Sequence, residues 1–495
     1  MIHFKGPLFS AAEIAAILGT PCNAAGIVEG IAFDSRDVQP GDLFVALKGQ
    51  QQDGHDFIDT ALKSGAGLIV GETARLTPSQ LEDPRNLAVA DSYDALVTLA
   101  KAARDRSKAK RIAVTGSAGK TSVVRALYAG LARTTATHSS IKSYNNHVGV
   151  PLSLARMPAG TEFATFEIGM NAPGEIAPLS KLVQPDVAIV TTVAPAHLAQ
   201  FENVAAIADE KASIFDGLQP GGTAIVSIDH DYADQVLDHA TAVAGRVITV
   251  SVDKPADVQV IRLSEKHNMT CLTVDLMGTP VTFKVGQPGR AAISNALLVL
   301  AAAEAVGADV LSVCLTLADR TPPEGRGQMV PIPAKGGSAT LIDDSYNANP
   351  ASFMAALDRL DRLEPREGGR VHIIAGDMLE LGKGSKDIHD DILQEIEERV
   401  TGKLVLVGPD FAQVAKRHET DALIYENPLS AEEKQAFLGS FSASLQRGDV
   451  VLIKGSNALE LSQIVKDLVA SRNADKGYPS SRSALSGLSV SEVRV

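Results

Sequence analysis

The segment from Thr115 to Ser122 contains the residue types that could bind a phosphate: two glycines, a lysine and several hydroxyl side chains. An apolar run precedes it and apolar residues at helical spacing follow it, so the pattern is strand, turn and helix. Backbone N–H groups of such a turn, with the positive end of the helix, form an anion site. We predict a phosphate loop made of Gly116, Ser117, Ala118, Gly119, Lys120, Thr121 and Ser122.

Within this loop, Lys120 would place a positive charge on a phosphate and the Thr121 hydroxyl would ligate Mg²⁺. The loop is shorter than G-x-x-x-x-G-K-[ST], because Val114 stands where that motif has glycine. The other interpretation is a strand-to-helix turn that contains Gly-Lys-Thr by chance. The order of strand, glycines, Lys-Thr and helix favours the phosphate loop.

Three more residues could complete such a site. Glu167 follows the apolar run 163–166, so we expect it at the carboxyl end of a parallel strand, where ligands gather. A carboxylate there is either a Mg²⁺ ligand or an exposed acid. His197 follows the apolar run 187–193, and such a histidine is more often structural. Lys211, taken alone, has the pattern of a solvated helix lysine.

Two polar turns, 144–151 and 343–350, also follow apolar segments. Their amides and carboxylates present donors and acceptors to a polar ligand, and Asp344 could hold a ribose hydroxyl. Turn chemistry alone explains either segment equally well. The side chains concerned are Asn145, Asn146, Asp344, Asn347 and Asn349.

Composition disfavours several classes of protein. The chain has 495 residues and a net charge of −13, with no tryptophan and 4% aromatic residues, whereas nucleic-acid binding requires basic patches and stacking platforms. The three cysteines lie far apart, which argues against disulfides or structural zinc and for a reducing compartment. No apolar run approaches the roughly 20 residues of a membrane span, and the amino terminus has no signal-peptide pattern. We expect a cytoplasmic protein without membrane insertion.

The elements that must position these residues form three blocks of an α/β protein. Residues 1–107 mix short strands and helices, and residues 108–320 alternate apolar runs with helical segments, which is typical of a parallel sheet covered by helices. Closely spaced runs at Val258–Leu263, Thr270–Leu276 and Val281–Val285 indicate an antiparallel extension of that sheet. Residues 321–470 predict a second, Rossmann-like parallel sheet, and the serine-rich residues 471–495 a disordered tail.

In their order and spacing these motifs resemble those of the Mur ligases, the ATP-dependent amide-forming enzymes of peptidoglycan precursor synthesis. The resemblance runs from about residue 30 to residue 470. Besides the phosphate loop, it is carried by Asp34-Ser-Arg36, Asn145-Asn-x-x-Gly-x-Pro151, Glu167-Ile-Gly169, Ala196-His-Leu198, Lys211 with Ile214-Phe215, Asp344-Ser-Tyr-Asn-Ala-Asn-Pro350 and Gly376-Asp-Met-Leu-Glu-Leu-Gly382.

The resemblance implies a UDP-sugar-binding first domain, a central ATP-binding domain and a carboxy-terminal ligase domain. Lys120 and Thr121 would hold the β and γ phosphates, while Thr121, Glu167 and His197 would ligate Mg²⁺. Lys211 would react with CO₂ and become a carbamate that helps to orient the metal. Arg326, at the joint to the last domain, would reach the phosphates and couple domain closure to catalysis.

Further contacts follow from the same resemblance. The adenosine would meet Asn295 and Asp344, and the uridine diphosphate would meet Ser35 and Arg36. The remaining substrate contacts would come from Asn145, Asn146, Asn347 and Asn349.

Two departures from the family pattern affect these expectations. The family usually has Gly-x-His-Asn-x-x-Asn-Ala, where this chain has Ala291 and Ala292 in place of His and Asn, so adenine recognition is expected to differ. The family's Lys-Gly-Ser-Arg ends in Asn457 here, so a cation for the carboxylate of the incoming dipeptide is missing at that position.

Within the family, the motifs best match the member that adds D-alanyl-D-alanine to UDP-N-acetylmuramoyl-tripeptide through an acyl phosphate, and we expect a monomer. A sister ligase that adds the third amino acid is the nearest alternative, but its Asp-Asn-Pro-Arg motif does not occur in the chain. A folylpolyglutamate-type ligase would not need the UDP-sugar block. A non-catalytic nucleotide-regulated binding protein would have no reason to keep Lys120, Thr121, Glu167, His197 and Lys211.

Overall fold

A computed structural model of the chain describes residues 6–22, 24–49, 52–140, 143–195, 200–266, 269–286, 289–319, 324–361, 363, 368–379, 381–418 and 420–474. The chain forms two compact units. Unit 1 comprises Met1–Thr321 with Glu380–Lys383, and unit 2 comprises Pro322–Leu379 with Gly384–Val495. The domain boundaries expected from the sequence stay predictions, and His197 and residues 475–495 lie outside the described residues.

The first part of unit 1 is a small α/β layer. A parallel sheet has the strand order β3-β4-β5-β6, and β1 pairs with β2 in antiparallel fashion. The elements are β1 (Phe9–Ser10), α1 (Ala11–Leu18), β2 (Ile27–Val28), β3 (Ile31–Ala32), β4 (Leu43–Val45), α2 (Ile58–Lys63), β5 (Leu68–Glu72), α3 (Pro78–Glu82), β6 (Asn86–Val89) and α4 (Ser92–Arg106).

The rest of unit 1 is built on a nine-stranded sheet with the order β15-β14-β13-β12-β11-β10-β7-β9-β8. The elements are β7 (Lys110–Thr115), α5 (Lys120–Leu131), β8 (Thr137–Ser139), α6 (Gly149–Ala155), β9 (Phe163–Glu167), α7 (Ile176–Val183), β10 (Val187–Val190), α8 (Val204–Ala212), β11 (Thr223–Ser227), α9 (Ala233–Val243), β12 (Arg246–Ser251), β13 (Val258–Lys266), β14 (Met269–Leu276), β15 (Thr279–Val285), α10 (Arg290–Ala305) and α11 (Val310–Asp319). The strands from β8 to β13 in this order pair in parallel, and β13, β14 and β15 form the antiparallel extension predicted above.

Both faces of this sheet are covered, which explains why its parallel strands are almost entirely apolar. In β7, Ile112 and Val114 pack in the cluster that includes α5 and α10, whereas Ala113 packs in the cluster that includes α6 and α7. This alternation follows from the two-residue period of a strand. Burying a side chain such as Ile112 completely contributes about 1.5–3 kcal/mol, so the core holds the carboxyl end of β7 firmly in place.

Unit 2 has a six-stranded sheet with the order β16-β17-β21-β18-β19-β20. Only the β16–β17 pair is antiparallel among its described pairings. The elements are β16 (Gln328–Ala334), β17 (Gly337–Asp344), α12 (Pro350–Asp361), β18 (Val371–Gly376), α13 (Ser385–Arg399), β19 (Leu404–Val407), α14 (Pro409–Ala415), β20 (Leu423–Tyr425), α15 (Ala431–Ser444), β21 (Val450–Lys454) and α16 (Leu461–Ala474). Short 3₁₀ turns lie at Gly54–Phe57, Ser213–Gly217, Gly382–Gly384 and Asn457–Leu459.

The predicted α/β class and the second, Rossmann-like parallel sheet are therefore confirmed. Helix α16 ends at Ala474, inside the segment that the sequence assigns to a tail. Among the described residues, none of the helices combines the length and the apolarity that crossing a membrane requires.

Candidate functional site

The predicted phosphate loop connects the carboxyl end of β7 to the first turn of α5, as the sequence pattern requires. Gly116 has φ +146° and Gly119 has φ +86°, a region that favours glycine. A Cβ on Gly116 would lie 1.9 Å from the Thr191 Oγ1 atom, so no larger residue fits there. The Lys120 ammonium crosses the loop and donates to the Gly116 carbonyl at 2.6 Å.

The end of β10 supports the other side of this loop. Ser117 N donates to Thr192 O at 2.8 Å, and the Ser117 hydroxyl donates to Ala194 O at 2.9 Å. The Thr191 hydroxyl donates to the Ala118 carbonyl. These bonds hold the loop backbone in one conformation, and a preorganised loop loses less entropy when it binds a ligand. His197, three residues beyond Ala194, lies outside the described residues.

Glu167 ends β9 beside the loop, and its carboxylate is almost fully buried. Thr121 Oγ1 donates to Glu167 Oε2 at 2.8 Å, and Asn145 Nδ2 donates to Glu167 Oε1 at 2.8 Å. The structure therefore joins three residues that are far apart in the sequence. Hydroxyl and carboxylate oxygens are the hard ligands that Mg²⁺ prefers, so this donor set fits the ion.

Asn146 is adjacent to Asn145 but makes different contacts. Its Oδ1 atom accepts from Val148 N at 3.2 Å and from Gly149 N at 2.9 Å. Asn146 thus closes the turn that leads into α6, whereas Asn145 faces Glu167.

Lys211 is not a solvated helix lysine: only 2% of its surface is exposed. Its Nζ atom lies 3.8 Å from the Met170 sulfur. Burial lowers the pKa of Lys211 well below its usual range, the charge of Lys120 lowers it further, and Glu210 partly opposes both. Burial therefore shifts Lys211 toward its neutral form, and the side chain lies close enough to Lys120 for the two charges to interact.

Asn295 also reaches the loop. A Cβ built on Gly119 would lie 2.6 Å from the Asn295 Oδ1 atom, so this side chain lies directly against the start of α5. Asn295 lies on α10, in the turn after Ala291 and Ala292. The loop, Glu167, Lys211 and Asn295 are thus neighbours within unit 1.

The Ser35–Arg36 segment follows β3 and lies near the Tyr144–Asn145 turn. The Tyr144 hydroxyl donates to Asp37 Oδ2 at 3.4 Å. Arg36 is 86% exposed, and its guanidinium donates to both carboxylate oxygens of Asp34. The Asp34 carboxylate holds the pKa of the exposed Arg36 above its usual value.

In unit 2, the carboxyl ends of β17 and β21 bring Asp344 and Lys454 together. Lys454 Nζ donates to Asp344 Oδ2 at 2.7 Å and to the Asn347 carbonyl at 3.1 Å. Asn349 caps α12, since its Oδ1 atom accepts from Ser352 N at 2.8 Å. Asn347 Oδ1 accepts from Ala348 N at 3.0 Å, so both asparagines shape the turn.

Arg326 lies between two glycines with positive φ, +70° at Gly325 and +83° at Gly327. Its guanidinium carbon is 4.2 Å from the centroid of the Tyr346 ring. Asp343, Tyr346 and Lys454 were not identified as functional residues by sequence reasoning. Lys454 could have been identified from its position, because it ends an apolar strand and is followed by glycine.

The Gly376–Gly382 motif contributes Asp377 to the start of α14. Asp377, His389 and Asp410 offer ligand atoms close to one another. However, Asp377 accepts the backbone N–H groups of Asp410 and Phe411, at 2.8 and 2.9 Å, and His389 Nε2 accepts from Met378 N at 2.9 Å. The two bonds to Asp377 stabilise the start of α14.

The chain matches three family models. The Mur ligase family catalytic domain matches residues 27–115, the Mur ligase middle domain residues 114–303, and the Mur ligase glutamate ligase domain residues 325–457.

Curated relatives match nearly the whole chain. The UDP-N-acetylmuramoyl-tripeptide--D-alanyl-D-alanine ligase of Bacillus subtilis (strain 168) is 30% identical over 92% of this chain and 96% of its own length. The enzyme of the same name from Haemophilus influenzae is 32% identical over 86% of this chain and 93% of its own length.

Solved structures agree with these relatives. MurF from Acinetobacter baumannii has a TM-score of 0.78 at 26% identity and covers 94% of this chain and 99% of its own. The MurF ligase from Thermotoga maritima in complex with ADP has a TM-score of 0.74 at 25% identity and covers 90% of this chain and 98% of its own.

Proposed function

This chain belongs to the Mur ligase family, and we propose that it joins D-alanyl-D-alanine to UDP-N-acetylmuramoyl-tripeptide in an ATP-dependent step of peptidoglycan precursor synthesis. The observation that carries the proposal is the cluster of Lys120, Thr121, Glu167 and the buried Lys211 around the phosphate loop. It occurs in a chain that resembles ligases of this name over nearly its full length.

The reaction proceeds in two displacements. The terminal carboxylate of the tripeptide attacks the γ-phosphorus of ATP, the bond to the β–γ bridging oxygen breaks, and ADP leaves. The amine of the dipeptide then attacks the acyl carbon, loses a proton, and phosphate leaves. The loop N–H groups and the Lys120 ammonium stabilise the charge on the transferring phosphoryl group, because such transfers depend on positioning and charge neutralisation.

We propose that Thr121 and Glu167, with His197 by resemblance, hold Mg²⁺. The ion would neutralise part of the charge on the β and γ phosphates. Asn145 holds the second Glu167 oxygen, which fixes the orientation of the carboxylate.

Lys211 is proposed to act as a carbamate. Its neutral amine would attack CO₂, forming an N–C bond and releasing a proton, so a cation that repels Mg²⁺ becomes an anion that attracts it. Burial of Lys211 supports this step, since it favours the neutral amine that the reaction needs.

The nucleotide is proposed to contact Asn295, Arg326 and Asp344, and the UDP group Ser35 and Arg36. Asn145, Asn146, Asn347 and Asn349 are proposed substrate contacts, of which Asn146 and Asn349 act through the turns they hold. Ala291 and Ala292 leave adenine recognition to other groups, and the exposed Asn457 cannot supply a cation to the dipeptide carboxylate. We propose a monomer in the cytoplasm, where ATP and UDP-linked precursors are available.

The test is ADP release by the full chain with each substrate omitted in turn. Release is expected to require both UDP-muramoyl tripeptide and D-alanyl-D-alanine. Activity with UDP-muramoyl dipeptide and a single amino acid would identify the sister ligase, and activity with a folate acceptor the folylpolyglutamate type. Tripeptides carrying diaminopimelate or lysine, assayed in parallel, determine which third residue the enzyme accepts.

A further inference from the structure

Asp343, in β17, forms hydrogen bonds to the loop that contains Arg326. Asp343 Oδ2 accepts from Gly325 N at 2.8 Å, and the Asp343 carbonyl accepts from Gly327 N at 2.7 Å. Its other carboxylate oxygen accepts from the Ser345 hydroxyl at 2.6 Å. Both glycines that flank Arg326 are therefore held by a single buried residue.

Arg359, on α12, holds the same loop from another direction. Its guanidinium donates to the Gly327 carbonyl at 2.6 Å, and a Cβ on Gly327 would lie at that same distance from the donating nitrogen. The Arg359 Nε atom is buried and has no hydrogen-bond partner among the described residues. Burial lowers the pKa of Arg359, so this charge is held in a place that is unfavourable for it.

Tyr346 completes the arrangement. Its backbone N–H donates to the Gly325 carbonyl at 3.0 Å, and its ring lies under the Arg326 guanidinium at 4.2 Å. The side chain is 39% exposed. An exposed ring that carries a guanidinium on its face restricts the directions in which the cation can point.

We propose that Tyr346 and Arg359 are positioning residues for Arg326: Arg359 fixes the loop backbone and Tyr346 fixes the guanidinium. The inference rests on the proposed function, in which Arg326 meets the phosphates of ATP. An arginine flanked by two glycines would otherwise sample many conformations, and binding would have to order it. Because the buried Arg359 Nε atom has no hydrogen-bond partner among the described residues, we expect Arg359 to contribute little to stability.

The test is a double-mutant cycle on the full chain, with kcat, KM for ATP and the Kd of a non-hydrolysable ATP analogue as readouts. Tyr346→Leu is expected to lower kcat/KM about three- to five-fold, whereas Tyr346→Phe, which keeps the ring face, stays within about two-fold. Arg359→Met is expected to lower kcat/KM about ten-fold with an unchanged or raised melting temperature, and Arg359→Lys to recover part of it.

The decisive comparison repeats Tyr346→Leu and Arg359→Met in an Arg326→Ala background. If both act through Arg326, each lowers analogue binding by less than about two-fold there. Equal losses in both backgrounds would overturn the inference, since the residues would then contact substrate or support the fold directly. Wild-type activity of Arg326→Ala would instead contradict the proposed role of Arg326 itself, so the two failures are distinguishable.

Discussion

Lys211 in unit 1 and Lys454 in unit 2 are buried to the same extent, at 2% and 1% exposure, but have different partners. Lys454 donates to the Asp344 carboxylate and to a carbonyl. Among the described residues, Lys211 Nζ contacts a thioether sulfur, that of Met170, at 3.8 Å. Burial alone therefore does not define the role of a lysine: Lys454 has a carboxylate partner, whereas burial lowers the pKa of Lys211 well below its usual range.

The largest expected effect comes from the residue beside Lys211. Lys120→Ala should lower kcat by on the order of 10³-fold, because it removes the cation that faces the phosphates. Its melting temperature should stay near that of the wild type, since the Lys120 side chain is only partly buried. ADP release and a melting curve measure both, with the exposed Lys181→Ala as control. Near-normal turnover of Lys120→Ala would refute the phosphate-loop assignment.

Replacing Lys211 separates a carbamate from a structural lysine. Lys211→Ala should lose on the order of 10²-fold in kcat, and millimolar formate or acetate should restore part of it by occupying the anion position. Lys211→Arg should not substitute, because it places a cation where an anion is needed.

Lys454→Ala provides the matched control for this rescue, since its lysine is paired with Asp344 and should not respond to short carboxylic acids. Full activity of Lys211→Ala, or equal activity of Lys211→Arg, would show that Lys211 is structural.

The Lys454–Asp344 pair predicts a smaller effect, on stability. Lys454→Met leaves the Asp344 carboxylate without its cation and should lower the free energy of unfolding by about 2–3 kcal/mol. The value lies below that of a fully buried pair because the Asp344 side chain is 21% exposed. The double variant Lys454→Met with Asp344→Leu should regain most of the loss and still bind ATP poorly. Urea unfolding and ATP titration measure the two effects, and a stable but weakly binding Lys454→Met would contradict the stability part.

The smallest effect is a pH dependence of stability that comes from Lys211. The pKa of Lys211 is lowered in the folded chain, so the unfolded chain binds more protons at pH values between that lowered pKa and about 10.4. Stability contributed by this residue should therefore rise with pH in that window, by at most about 1.4 kcal/mol per pH unit. In CO₂-free buffer, the stability advantage of Lys211→Met over the wild type should shrink toward pH 10. If the free energies of unfolding of the two proteins differ by the same amount at every pH, the predicted pH dependence is wrong.

Much of the fold was predictable because strands, helices and tight turns each depend on residues that are close in the sequence. The antiparallel extension was predicted at three runs, and β13, β14 and β15 lie there, with a turn at Met277 and Gly278 that both adopt positive φ. Such a two-residue turn is readable from sequence, since its dihedral angles favour few residues. The turn geometry of the predicted phosphate loop was readable for the same reason. Gly116 and Gly119 both have positive φ, and a Cβ at either position would lie too close to a neighbouring side chain.

The sequence by itself determined the α/β class, the antiparallel extension and the family, because strand periodicity, glycine requirements and motif order act over short stretches of chain. Only the tertiary structure decided which of two adjacent asparagines faces Glu167, and that Lys211 is buried while its helix has the composition of a surface helix. The tertiary structure also places Asp377 at the start of α14 and the Tyr346 ring under the Arg326 guanidinium. These contacts join residues that are tens of positions apart in the sequence. Such long-range packing produces no local sequence pattern, so it could not be predicted from the sequence.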